Sequence, residues 1–224
     1  MARKDYQEKL QTLREDVLYM SEIVIERLRM GLEALEHKDG NLAWDVIEGD
    51  HEVNELYLDL EQDCVDLVAL QQPVAGDLRF IAASFKIITD LERIGDLATN
   101  LGDYALDAHQ DMFPEVDIQA IGEKVVSMVE QAMVAYAEED ADTCYDIADR
   151  DDEVDKQCEA ASEIVARDLI ERGDIGSEEE VQRIMEDVNR LLLTIRDLER
   201  VGDHAVNIAA RTLYMVESDD DLLY

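Results

Sequence analysis

The sequence predicts an all-α fold built as two tandem antiparallel three-helix bundles related by internal duplication. Three observations predict it. The chain of 224 residues holds only 2 Pro and 10 Gly, and strong helix formers fill long stretches between them. Apolar residues make up 47% of it, enough for a real core, and they recur at alternating spacings of three and four along six stretches. Finally, Asp90-Leu-Glu-Arg-Ile-Gly-Asp96 returns as Asp197-Leu-Glu-Arg-Val-Gly-Asp203, with six of seven residues identical. A near-verbatim heptad at such a distance marks a duplicated unit.

Taken in order, Leu10, Leu13, Val17, Met20, Val24, Leu28 and Leu35 give a first helix over Tyr6–His37, broken by Asp39-Gly40-Asn41. Val46, Val53, Leu56, Leu60, Cys64 and Leu67 give a second over about 42–71, with Pro73 ending it or opening the next. Phe80, Ile87, Leu91, Ile94, Ala98 and Leu101 face inward on a third, over about 75–108. Residues 112–117, around Pro114, form the linker between a first repeat (1–111) and a second (118–216). The second repeat reads as helices over about 118–139, 143–172 and 177–216. Ser177 with Glu180 forms a capping box for the last of these. Residues 217–224 are expected to be a frayed acidic tail.

The formal net charge is −36, far beyond the magnitude of roughly 2–8 that suits a small domain. Self-repulsion of that size is tolerable where salt shortens the Debye length to about 3 Å, near 1 M. Together with 14 Arg against 6 Lys, it points to the cytoplasm of a salt-accumulating halophile, the alternative being an unusually acidic mesophilic protein. Direct binding of nucleic acid is excluded, since no basic stripe exists to displace counterions from phosphates. Cys64, Cys144 and Cys158 have neither metal-site nor redox spacing. No signal peptide is visible, and no apolar run approaches the ~18 residues needed to span a membrane, so a cytoplasmic location is expected.

The duplicated motif carries the candidate site. Glu92, Asp96 and Asn100, and their counterparts Glu199, Asp203 and Asn207, recur every four residues and so form one slanted stripe of oxygen donors per repeat. At about 100° per residue the stripe lies opposite Leu91, Ile94 and Ala98, making an exposed ridge rather than an internal cage. Asp90 points away from that ridge. A hairpin turning near Pro73 sets Asp50 level with Asp96 and Asn54 level with Glu92; the matching Asp151 and Asp155 approach Glu199 and Asp203. Oxygen donors without a thiol or well-spaced imidazoles suit hard cations, Mg, Mn, Ca or Fe(III), singly or as a small cluster. The bland reading is a solvated acidic face. Arg93 and Arg200 are expected to pair with the ridge acids, and His204 to be a helix-packing residue. Gly95 and Gly202, inside helices, mark either close helix approach or room for a ligand.

With Gln72-Pro-Val-Ala-Gly-Asp-Leu-Arg79, Leu91-Glu-Arg-Ile-Gly-Asp96 and Leu198-Glu-Arg-Val-Gly-Asp-His-Ala-Val-Asn-Ile-Ala209 in view, the chain resembles the PhoU family of phosphate-uptake regulators over nearly its whole length. The resemblance implies a non-enzymatic cytoplasmic accessory of the high-affinity phosphate ABC transporter and its ATPase subunit. It implies restraint of uptake, signalling through a sensor kinase in many bacteria, and a homodimer. It also implies surface sites for multinuclear metal clusters, iron first, on Glu92/Asp96 and Glu199/Asp203. Asn54, where the second repeat has Asp155, implies weaker metal binding at the first site. A carboxylate-bridged metalloenzyme and a purely structural helical adaptor are the alternatives.

Overall fold

The computed structural model describes residues 2–70, 73–108, 113, 115–171 and 177–223. Its helices are α1 (Ala2–His37), α2 (Gly40–Glu48), α3 (Asp50–Leu70), α4 (Ala75–Leu106), α5 (Ile118–Glu138), α6 (Ala141–Glu171) and α7 (Glu178–Glu217), with a 3₁₀ turn over Asp221–Leu223. The expected helix ends at Gln71 and Arg172, the Gly173–Gly176 turn, and Met112 and Pro114 of the linker lie outside the described residues.

Each repeat runs up, down and up. The first and third helices of both repeats, α1, α4, α5 and α7, pack into a central four-helix layer, and α2–α3 and α6 flank it. One continuous core fills that layer, from Val17, Met20 and Val24 of α1 through Leu91 and Ile94 of α4, Val129 and Tyr136 of α5, to Leu198 and Ala205 of α7. The direction of packing follows from cross-links. Asn100 reaches Asp197 while Asn207 reaches Asp90, so α4 and α7 run antiparallel. Arg14 donates to the Ala137 carbonyl (3.1 Å) and Gln119 to the Leu32 carbonyl (3.0 Å), so α1 and α5 do the same.

Two expectations are corrected. The single second helix is two, separated at Gly49. A Cβ built on Gly49 would lie 1.4 Å from Arg27 Nη1, so the Arg27 guanidinium passes through the space a side chain would fill. Arg27 bonds Glu52 Oε2 at 2.6 Å beyond that break. Asp39 caps the short α2 by accepting from the backbone N–H of Asn41 and Leu42. The tail does not fray: α7 ends at left-handed Ser218, the 3₁₀ turn folds back on it, Leu222 packs against the core, and the Tyr145 hydroxyl donates to Asp219 (3.2 Å). A partly buried apolar anchor holds the acidic turn in place. Ser177 caps α7, its hydroxyl accepting from the Glu180 N–H at 3.3 Å, which is one half of the expected capping box.

Candidate functional site: two carboxylate clusters and the seam between them

Asp50 opens α3 immediately after the Gly49 break, and this places it beside α4. Its carboxylate is half-buried: Asn54 Nδ2 donates to Oδ2 at 2.7 Å, and the Thr99 hydroxyl, shared with the Gly95 carbonyl at 3.2 Å, stands 3.4 Å from Oδ1. Gly95 permits that closeness, since a Cβ there would stand 3.1 Å from Val53 Cγ1. Glu92 and Asp96 complete the group. Burial, then the charge of Asp96, raises the Glu92 carboxyl above its ordinary range, with Asp50 adding to it and Arg93 opposing. Burial, then Asp50, raises Asp96, and Arg200 of the other repeat opposes. Sequence spacing thus placed these three correctly in one electrostatic group.

The second repeat assembles the same positions to a different effect. Burial pushes Asp151 up to about 7, followed by the charges of Asp155, Asp203, Asp152 and Glu199. Its Oδ1 is buried without a hydrogen-bond partner. Gly202 makes the room: a Cβ there would sit 2.7 Å from that same oxygen. Burial and Asp155 raise Glu199 and Asp203 as well, while His204 and Arg200 oppose at Asp203. Of the two readings for the paired glycines, Gly95 serves helix approach and Gly202 houses a carboxylate.

The clusters adjoin. His204 acts on both Glu92 and Asp203, and Arg200 on both Asp96 and Asp203, so the acids of the two repeats share these electrostatic neighbours. The seam beneath them is polar, and sequence reasoning missed it. Asp90 is buried and accepts from Asn207 Nδ2 (3.3 Å), and His204 Nδ1 hydrogen-bonds its Oδ1 at 2.8 Å. Asp197, fully buried, accepts from Asn100 Nδ2 (3.1 Å) and the Tyr104 hydroxyl (2.8 Å), with Arg196 closing on Oδ1 at 2.7 Å. Asn100 and Asn207, expected as oxygen donors of the stripe, therefore give their N–H groups to the aspartate of the opposite repeat. The signal was available: Asp90 and Asp197 are duplicated although they face away from the ridge. His204 packs between helices as expected, and burial pushes the thiols of Cys64 and Cys158 up to about 12, which makes them poor nucleophiles.

Oxygen-only donors and an unpartnered buried Oδ1 fit a hard cation at the second cluster. Neither cluster gathers three carboxylates tightly. Among the described residues, the trio of acids with oxygens within 4.8 Å of one another is Asp219, Asp220 and Asp221, on the C-terminal turn. Among the described residues, no helix is long and apolar enough to cross a membrane.

Fold and site define an internally duplicated helical protein with an acid cluster in each repeat. The family model described as the PhoU domain matches residues 17–105 and 118–212, one match per repeat, and the chain belongs to that family. It is 32% identical to a phosphate-specific transport system accessory protein PhoU homolog of Clostridium acetobutylicum, over 96% of both chains. With the protein of that name from Escherichia coli it shares 31%, over 95% of this chain and 85% of the other. The crystal structure of PhoU from Pseudomonas aeruginosa superposes with a TM-score of 0.88 at 31% identity, covering 96% of this chain and all of the other. The phosphate transport system regulatory protein PhoU from Streptococcus pneumoniae gives 0.86 at 27%, covering 96% and 98%.

Proposed function

We propose that the chain is a cytoplasmic, non-enzymatic regulator that restrains a high-affinity phosphate ABC transporter through its ATPase subunit. Where a phosphate-responsive sensor kinase is present, it also relays phosphate status to that kinase. The observation that carries this reading is the match of both repeats to a family whose relatives are named as phosphate-specific transport accessories. The net charge of −36 suits a cytoplasm rich in salt. Deleting the gene tests the reading: phosphate uptake should rise and accumulate in phosphate-replete cells, and unchanged uptake in both replete and starved cells overturns it.

The same reading gives the acid clusters a hard cation, or a small cluster of them, iron first and Mg, Mn or Ca next. Glu199, Asp203, Asp151 and Asp155 would hold it in the second repeat, and Glu92, Asp96 and Asp50 in the first. A bound cation supplies positive charge that neutralises the acids and ties α3 to α4 and α6 to α7. The unpartnered Asp151 Oδ1 supports this assignment. Elemental analysis of protein purified without chelator should find metal, with less in Asp203→Ala; none above background overturns it. Sedimentation at several salt concentrations tests the expected homodimer.

A further inference from the structure

The seam between α4 and α7 makes the same hydrogen bond twice. Asn100 Nδ2 donates to Asp197 Oδ2 at 3.1 Å, and Asn207 Nδ2 donates to Asp90 Oδ1 at 3.3 Å. Asp90 and Asp197 hold the same place in their repeats, and so do Asn100 and Asn207, so each aspartate takes the asparagine of the other copy. The other buried polar residues of these two helices have apolar counterparts: Ser84 answers to Leu191, Asp187 to Phe80, Thr194 to Ile87, His204 to Leu97 and Thr212 to Ala105. Among the described residues of α4 and α7, a buried polar side chain is kept in both copies only at Asp90 and Asp197. Stability alone does not ask for that, because buried charged groups with their partners can often be exchanged for well-packed apolar residues at no loss.

Both asparagines stand one helical turn beyond a cluster acid, Asn100 beyond Asp96 and Asn207 beyond Asp203, where Cβ atoms lie about 5–6 Å apart. An ionised carboxylate only accepts hydrogen bonds, so each amide must turn its Nδ2 toward the seam, and the carbonyl oxygen is left as its other end. Among the described residues neither of these oxygens has a hydrogen-bond partner. Amide carbonyls are ordinary ligands of hard cations, and donating the N–H to a carboxylate raises the basicity of the oxygen. We propose that Asp90 and Asp197 are positioning residues that act across the seam. Asp90 orients Asn207 so that its Oδ1 joins the cation ligands of the second cluster, and Asp197 orients Asn100 in the same way at the first. Each cluster is then completed by a buried aspartate from the opposite repeat.

The inference rests on the cation reading of the clusters, and Mn²⁺ binding followed by electron paramagnetic resonance tests it. Glu92→Gln/Asp96→Asn silences the first cluster so that the second is read alone, and Glu199→Gln/Asp203→Asn does the reverse. Asp90 lies beside Glu92 in the chain, yet Asp90→Leu should weaken the second cluster about tenfold and leave the first unchanged. Asp90→Asn keeps an accepting oxygen in place and should restore the second. Asn207→Ala, at an exposed position, should weaken the second cluster by the same factor, and adding Asp90→Leu to it should remove no more, since both act on one ligand. Asp197→Leu should weaken the first cluster and spare the second. Equal loss at both clusters, loss confined to the first, or no loss after Asp90→Leu overturns the crossed positioning and leaves the cation reading standing. Failure of Asp90→Asn to restore binding does the same. If Asp90→Leu does not fold by circular dichroism, Asn207→Ala decides, and parent-like affinity there overturns the inference. A parent chain that binds no Mn²⁺ overturns the cation reading and this inference together.

Discussion

The two acid clusters are built from matching positions of one duplicated unit, yet they hold their charge differently. In the first, Asp50 accepts a 2.7 Å hydrogen bond from the Asn54 amide one turn further along α3, with the Thr99 hydroxyl close by. In the second, Asp155 replaces the amide, and Asp151 keeps a buried oxygen with no partner and a carboxyl raised to about 7. The Asn54/Asp155 exchange, with Thr99 against Val206, therefore separates a cluster whose aspartate accepts from a neighbouring amide from one whose aspartate stands among acids. The lesson is that duplicated motifs fix where acids stand, while the neighbours beside them decide how each carboxylate is satisfied.

The largest expected effect removes what the clusters share. Asp197→Ala strips the partner from Asn100, the Tyr104 hydroxyl and Arg196 at a fully buried position, and should cost about 3 kcal/mol in urea unfolding. A loss below about 1 kcal/mol would show that the seam is not a structural tie.

Exchanging the distinguishing residue comes next. Asp155→Asn should weaken Mn²⁺ binding at the second cluster about tenfold, and Asn54→Asp should strengthen the first by a similar factor, read by titration calorimetry. Equal affinities before and after the exchange would erase the distinction drawn here.

Removing the cation exposes a pH dependence. Asp151 is raised in the folded chain, so the folded state binds its proton more tightly than the unfolded state. In chelated buffer, stability should fall as pH rises from about 4 to about 7, the interval between the ordinary carboxylate value and the folded one. Thermal melts of Asp151→Asn should show a shallower slope. An identical slope in parent and Asp151→Asn would contradict the assignment.

The smallest effect concerns the paired glycines. Gly202→Ala gains up to about 1 kcal/mol of helix propensity and meets a movable carboxylate, so Tm should barely change while cation affinity drops. Gly95→Ala meets stiff, β-branched Val53 instead, and should lower Tm without a specific effect on cations.

Much of this was legible in the residue order because it is local. Periodicity located the helices, and helical geometry put Glu92 and Asp96 on one ridge with Asp50 across the hairpin, because a helix face depends on neighbours one turn away. The break at Gly49 was not legible, and the Arg27 side chain that fills the space of a Cβ there arrives from another helix. Nor was the folded-back tail, whose anchor Leu222 finds its apolar surroundings only in three dimensions. What the sequence determined by itself is the duplication, the helical class and the two acid clusters. Tertiary structure alone decided that α4 meets α7 antiparallel. That packing hands Asn100 and Asn207 to the opposite repeat's aspartates and sets His204 against Asp90, because which faces of two distant helices touch depends on the shape of the whole core.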